Sequence, residues 1–190
     1  MGSNAVKKTE STVMYILRLS LILFLIAGVV ALALAAVNMV TAPKIAQLQE
    51  AKTQEAIKAV LDGGYDEIIT DYTDASGLVS KIYKGANGYA VEVKPSGFDN
   101  TITMMVGIDN EGKVTKISVI SHTETAGLGA IAADKTTKGD AFRGQFAGLT
   151  GVVQVTKDGG TVEAITGATI TSRAVCDGVT AALAVIAGLG

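Results

Sequence analysis

TITMMVGIDNEGKVTKISVIS, residues 101–121, decides the fold. Two β-branched segments, 101–109 and 113–121, flank Asn110-Glu111-Gly112, a triplet suited to a tight turn, and together they read as an antiparallel hairpin. The segment before them, IYKGANGYAVEV (82–93), carries a second one, with Lys81–Tyr83 turning at Gly85-Ala86-Asn87-Gly88 onto Tyr89–Val93. Beyond Ser121 the pattern breaks at SHTETAGLGAI (121–131), and the stretch to Asp140 reads as a polar loop and short helix. Phe142 and Phe146, at i and i+4, mark a docked helical turn. Val152–Thr156 and Thr161–Ile165 read as two short strands separated by Asp158-Gly159-Gly160. TSRAVCDGVTAALAVIAGLG (171–190) reads as a closing helix capped by Thr171 or Ser172. Antiparallel strands with flanking helices make an α+β domain.

Ahead of this domain, LSLILFLIAGVVALALAAVNMV (19–40) has no charge, and its only polar side chains, Ser20 and Asn38, sit near its ends. A helix of that length spans about 33 Å, enough to cross the hydrocarbon layer of a bilayer. The competing reading is a cleavable signal peptide, with Ala33 and Ala35 resembling a cleavage site, but the apolar core of such a peptide is usually about 7–15 residues. Lys7, Lys8 and Arg18 precede the stretch, so the positive-inside rule places the N-terminus in the cytoplasm. KIAQLQEAKTQEAIKAVL (44–61), after Pro43, has helical spacing of apolar residues and stops at Gly63-Gly64. The expected organisation is a cytoplasmic tail (1–18), a membrane span (19–40), a juxtamembrane helix (41–62) and one extracytoplasmic domain (63–190).

Hydrophobic residues make up 48% of the chain and aromatic ones only 5%, which reflects the aliphatic span rather than an aromatic core. Past the tail and span there are 13 basic and 17 acidic residues, a mildly acidic balance with no basic stripe, which argues against nucleic-acid binding. Cys176 and His122 are the only residues of their types, so an internal disulfide, a Cys-x-x-Cys cluster and a multi-histidine metal or haem site are excluded. No metal site is expected, and redox chemistry requires an organic cofactor. Cys176 lies on an apolar helix face and reads as core.

ITGATIT (165–171) admits two readings. Thr171 or Ser172 at a helix start satisfies free backbone N–H groups as an ordinary cap. The same helix start also suits a phosphate, because it presents partial positive charge and unpaired donors, and Gly167 and Ala168 allow close approach. Taken alone, Glu124 reads as an exposed loop carboxylate and His122 as a strand-end residue.

Thr166-Gly167-Ala168-Thr169, followed by Ile-Thr-Ser, resembles the Ser/Thr-Gly-Ala-Thr flavinylation motif of the FMN-binding domain found in the G subunit of Rnf complexes and the C subunit of the sodium-pumping NADH:quinone oxidoreductase. His122-Thr-Glu-Thr-Ala-Gly-Leu-Gly is similar to that family's His-x-Glu-Thr-Pro-Gly-Leu-Gly loop, with Ala126 in place of proline. Glu163 stands where the family usually has aspartate, and Phe142-Arg-Gly-Gln-Phe resembles the segment that follows the loop. The resemblance implies covalent FMN, esterified through its phosphate to Thr169, with Thr166, Thr171 and Ser172 around the phosphate. It implies further that His122, Glu124, Thr125, Gly127, Leu128 and Gly129 line the flavin. No catalytic residue is implied, since a carrier of electrons needs no general base. The implied function is that of a membrane-anchored electron-transfer subunit of an Rnf-type ferredoxin:NAD ion-translocating oxidoreductase. Its partners would be other membrane subunits, the bilayer and a flavin transferase. A stand-alone extracytoplasmic FMN carrier for another reductase, and a flavin-free membrane-anchored binding module, are the alternatives.

Overall fold

The computed structural model describes residues 3–189; residues 1, 2 and 190, and the side chains of residues 3–11, lie outside the described part. The lysines on which the expected orientation partly rests are among those side chains. The chain divides into two units, one ending at Leu48 and one beginning at Gln49. The first is made of the greater part of helix α1 (Ser3–Val60), which runs through Pro43 and ends within the second unit. Its apolar side chains from Val13 to Leu48 are exposed on all sides, and a window within it has a mean hydropathy of 2.8 with nothing buried. A helix apolar all round and covered by nothing is suited to lipid, and this one is long enough to cross a membrane.

The second unit is built on a five-stranded antiparallel meander: β1 (Glu67–Ile69), β2 (Val79–Gly85), β3 (Gly88–Val93), β4 (Thr103–Asp109) and β5 (Val114–Ser121). Both expected hairpins form. Asp109 Oδ1 accepts from the N–H groups of Glu111 and Lys113, each at 2.9 Å, which holds the turn between β4 and β5. Because side chains alternate along a strand, each of β2–β5 serves two cores. Ile82, Val91, Met104 and Val106 face α3 (Thr169–Leu189), which buries Val175, Cys176, Val179, Ala182 and Leu183 against them, and Ile117 joins the same core. Their neighbours Tyr83, Ala90 and Met105 face the other way, onto Ala56, Ile57, Val60 and Leu61. α3 is itself apolar enough to cross a membrane, but it is two-thirds buried here and serves as the core helix of the domain.

Between β5 and α3 the chain makes a short 3-10 turn (Gly129–Ala132) and then α2 (Thr137–Gly144). Thr136 caps α2, its hydroxyl oxygen accepting from the N–H of Gly139 at 3.3 Å. Phe142 and Phe146 are both buried and meet edge to face with centroids 5.4 Å apart.

Three local expectations need correction. The strands expected at 152–156 and 161–165 do not form; the segment makes a single parallel bridge, Val155 to Val162, and a 3-10 turn at Thr156–Asp158. Side chains from elsewhere take the backbone groups a ladder would need. The Val153 N–H donates to Thr180 Oγ1 at 2.9 Å and the Glu163 N–H to Gln145 Oε1 at 2.7 Å. The closing helix starts at Thr169, so Thr171 and Ser172 lie inside its first turn and neither caps it. Strand β1 has no counterpart among the expected elements, since three residues are too few to show alternation.

Cys176 is only 1% exposed, and burial, with smaller contributions from Asp177 and Asp158, pushes its thiol up to about 12. The native protein is therefore expected to resist alkylation by iodoacetamide at pH 8 and to react fully once denatured. Fast labelling of the folded chain would contradict this packing.

Candidate functional site

Three loops meet at the N-terminus of α3. The link between β3 and β4 closes on itself through a bridge from Ser96 to Thr101 and a 2.8 Å bond from the Gly97 N–H to the Asn100 carbonyl. The loop after β5 runs through Glu124 to Gly129. The third is the turn into α3, where the Ala168 N–H donates to the Ile165 carbonyl at 2.9 Å.

Glu124 ties the three together. It is 7% exposed, far from the exposed loop carboxylate its sequence context implies. One carboxylate oxygen accepts from the backbone N–H of Phe98 at 2.9 Å and of Asp99 at 3.3 Å, and the other accepts from the Thr171 hydroxyl. A buried carboxylate with no cation beside it is tolerable only when such donors replace water. Gly129 makes the contact possible, because a Cβ there would collide with both Glu124 Oε2 and Thr171 Oγ1. Gly129→Ala is accordingly expected to destabilise the domain by about 1–3 kcal/mol in urea unfolding, as overpacking does elsewhere; an unchanged midpoint would show that the brace can shift without loss.

Between these loops lies a cleft of about 360 Å³. Of the residues expected around a ligand, Glu124, Thr125, Leu128, Gly129, Gly167, Ala168, Thr169 and Thr171 line it. Four others do not. Thr166 is exposed outside the cleft, and Ser172 is buried beneath the helix start, its hydroxyl donating to the Ala168 carbonyl and accepting from the Ile165 N–H, both at 3.0 Å. His122 is half-buried, and its Nδ1 has no hydrogen-bond partner among the described residues. Gly127 shapes the loop from outside the cleft: with φ 76° it occupies the third place of the turn closed by the 3.1 Å bond from the Leu128 N–H to the Thr125 carbonyl. Ala126 takes the second place of that turn, where proline is favoured. Its own N–H donates to no backbone carbonyl among the described residues, so Ala126→Pro is expected to raise stability by about 0.4–1 kcal/mol, read from the thermal midpoint. A lower midpoint would mean the turn holds a different φ.

Three lining residues escaped the motif reading: Phe98, Lys157 and Ile170. Phe98, Leu128 and Ile170 are 67%, 43% and 50% exposed, a concentration of uncovered apolar surface around one cleft. Lys157 donates to Thr169 Oγ1 at 3.3 Å. Among the described residues, the backbone N–H groups of Thr169, Ile170 and Thr171 have no acceptor, and the first helical bond is that from the Ser172 N–H to the Ala168 carbonyl at 3.0 Å. Unpaired donors at a helix start, an ammonium beside them and apolar walls around them suit a ligand with an anionic group at one end and a flat apolar body. FMN has that form, and the residues present fit it.

Residues 97–184 match the model of the FMN-binding domain family, and residues 14–60 match that of the RnfG N-terminal region. The chain is 34% identical to the G subunit of the Na(+)-translocating ferredoxin:NAD(+) oxidoreductase complex of Acetobacterium woodii, over 92% of this chain and 93% of that one. It is 36% identical to the G subunit of the ion-translocating oxidoreductase complex of Methanosarcina acetivorans, over 80% of this chain and 84% of the relative. A third relative, the G subunit of the proton-translocating ferredoxin:NAD(+) oxidoreductase complex of Clostridium ljungdahlii, is 32% identical over 90% of each chain. Likeness of that depth, carried across both the apolar helix and the domain that bears the cleft, means that the chain belongs to the family of G subunits of Rnf-type ion-translocating oxidoreductase complexes.

Proposed function

We propose that this protein is the membrane-anchored electron-transfer subunit of an Rnf-type complex and carries FMN esterified through its phosphate to Thr169. In this reading the apolar part of α1 crosses the cell membrane with the N-terminus inside and the FMN-binding domain outside. The observation that carries the proposal is the setting of the Thr169 hydroxyl, which lies in the cleft beside three unpaired amides and an ammonium. Within the first turn of α3, Thr171 and Ser172 have their hydroxyls committed to Glu124 and Ala168, which leaves that of Thr169 open to modification.

Bound FMN supplies one- and two-electron redox chemistry. The chain's own residues hold and shield it. The amides at the start of α3 and Lys157 meet the phosphate charge, and attachment at that end leaves the ring free. Phe98, Leu128 and Ile170 offer apolar surface to the ring and keep water from it. Glu124 fixes the walls relative to the attachment point through the Phe98 amide and Thr171.

Other membrane subunits supply and accept the electrons, and a flavin transferase is needed for maturation. The coupling ion is not a property of the shared fold, since the names of two relatives of similar identity specify sodium for one and protons for the other. Intact mass of the full chain, made with and without a flavin transferase, tests the attachment. The expected gain is that of FMN less one water, and no gain in the presence of an active transferase would remove the covalent reading. Co-purification of further membrane subunits tests the assembly, and its absence would favour a stand-alone carrier.

A further inference from the structure

We infer that Lys157 is the phosphate-binding residue of this cleft and is positioned for it by the ion pair of Asp158 with Arg173, a role that rests on the Thr169 reading above. The lining of the cleft contains two charged side chains, Glu124 and Lys157. Glu124 is turned onto its own three donors, so Lys157 alone is left to meet an anion. It makes no ion pair among the described residues, and its Nζ lies 3.3 Å from Thr169 Oγ1.

Arg173, one turn into α3, is the other cation near this helix start, and it is already engaged. Its Nε and Nη2 donate to the two oxygens of Asp158 at 2.6 and 2.7 Å. The Arg173 hydrogen bonds hold the Asp158 carboxyl below the ordinary carboxylate range, so the pair stays charged at neutral pH. Asp158 follows Lys157 in the 3-10 turn Thr156–Asp158, and the two-point pair therefore pins that turn to α3. The lysine stem is carried on a fixed backbone, and its ammonium is kept over the start of the helix.

Attachment joins Thr169 Oγ to the phosphorus of an activated flavin phosphoanhydride. The bond from that phosphorus to the leaving phosphate breaks, the leaving group keeps the electron pair and the hydroxyl proton is released; nothing is oxidised or reduced. The phosphorus becomes bonded to the very oxygen that Lys157 already contacts, which brings its charged oxygens beside the same ammonium. The lysine thus acts twice, in receiving the phosphate and in neutralising the finished phosphodiester.

The test uses the full-length chain in detergent, labelled by a purified flavin transferase and followed by intact mass. Lys157→Met is expected to slow labelling by about tenfold or more, the worth of one charge-assisted hydrogen bond, and Lys157→Arg to stay within about threefold of wild type. Asp158→Asn, which loosens the turn but keeps the lysine, should fall between them. After prolonged labelling, the phosphorus NMR resonance of Lys157→Met should be displaced from that of wild type. Equal labelling rates overturn the inference, and so does a slower rate with an unmoved resonance, which would assign the lysine to transferase recognition. A wild type that takes up no flavin overturns the Thr169 reading itself, and the two failures are thereby told apart.

Discussion

Replacing Thr169 with alanine is expected to reduce covalent flavin to background while leaving the fold intact. The three other hydroxyls around the helix start cannot take its place. Thr171 and Ser172 are 1% and 0% exposed and hydrogen-bonded within the protein, and Thr166 is exposed outside the cleft. The side chain of Thr169 makes one described bond, from exposed Lys157, so its loss costs at most about 1 kcal/mol of stability, and alanine is the better helix former. Thr169→Ser keeps the nucleophilic oxygen and is expected to retain the flavin. Ultraviolet fluorescence of the band on a denaturing gel, with the melting temperature as a check on folding, reads both variants. A folded Thr169→Ala chain that still fluoresces would move the attachment to another residue.

Glu124→Ala is expected to cause the largest loss of stability of any single change around the cleft, about 3 kcal/mol or more. Truncation leaves the part-buried N–H groups of Phe98 and Asp99 and the buried Thr171 hydroxyl without their shared acceptor; the buried donor alone costs about 1–3 kcal/mol, and the two amides and the lost packing add to it. Glu124→Gln keeps the volume and one acceptor oxygen, while its amide nitrogen can donate to the Thr171 oxygen, so about half of the loss should return. Thr171→Val removes a single bond but leaves one oxygen of a buried carboxylate without its donor, and should cost about 1–3 kcal/mol. Urea midpoints for the three variants give the ranking, and a Glu124→Ala midpoint equal to wild type would show that the brace contributes nothing. The loop carrying Phe98 is held by the same carboxylate, so Glu124→Ala is also expected to leave any bound flavin more exposed, read as stronger quenching of its fluorescence by iodide.

The parts of the fold that were legible in the chain are those whose physics is local. The two hairpins declare themselves through β-branched residues beside turn-forming Gly88 and Gly112, and they occur as β2–β3 and β4–β5. The apolar stretch 19–40 is readable because a bilayer asks only for length and absence of charge. Residues 152–165 misled because β-branched composition reports a preference for extended backbone and not the partner. Here the partners are side chains of Thr180 and Gln145, contributed by α3 and by the end of α2. The site followed the same division. Thr169 and the Glu124–Gly129 loop were legible as motifs, whereas Phe98 and Lys157 stand outside them; the one local signal for Lys157 is the Asp158-Gly159-Gly160 turn that carries it to the helix start.

By itself, then, the amino-acid sequence determined an α+β domain with antiparallel hairpins behind an apolar helix, and a cluster of hydroxyls at the start of its last helix. Only the tertiary structure decided what each hydroxyl does. Packing of α3 on the sheet buries Ser172 against the Ala168 carbonyl and turns Thr171 onto Glu124, while Thr169, at the first position of the helix, is left facing the cleft and Lys157. Successive residues of a helix point about 100° apart, so three neighbouring hydroxyls of like chemistry meet three different surroundings once a core lies on one side.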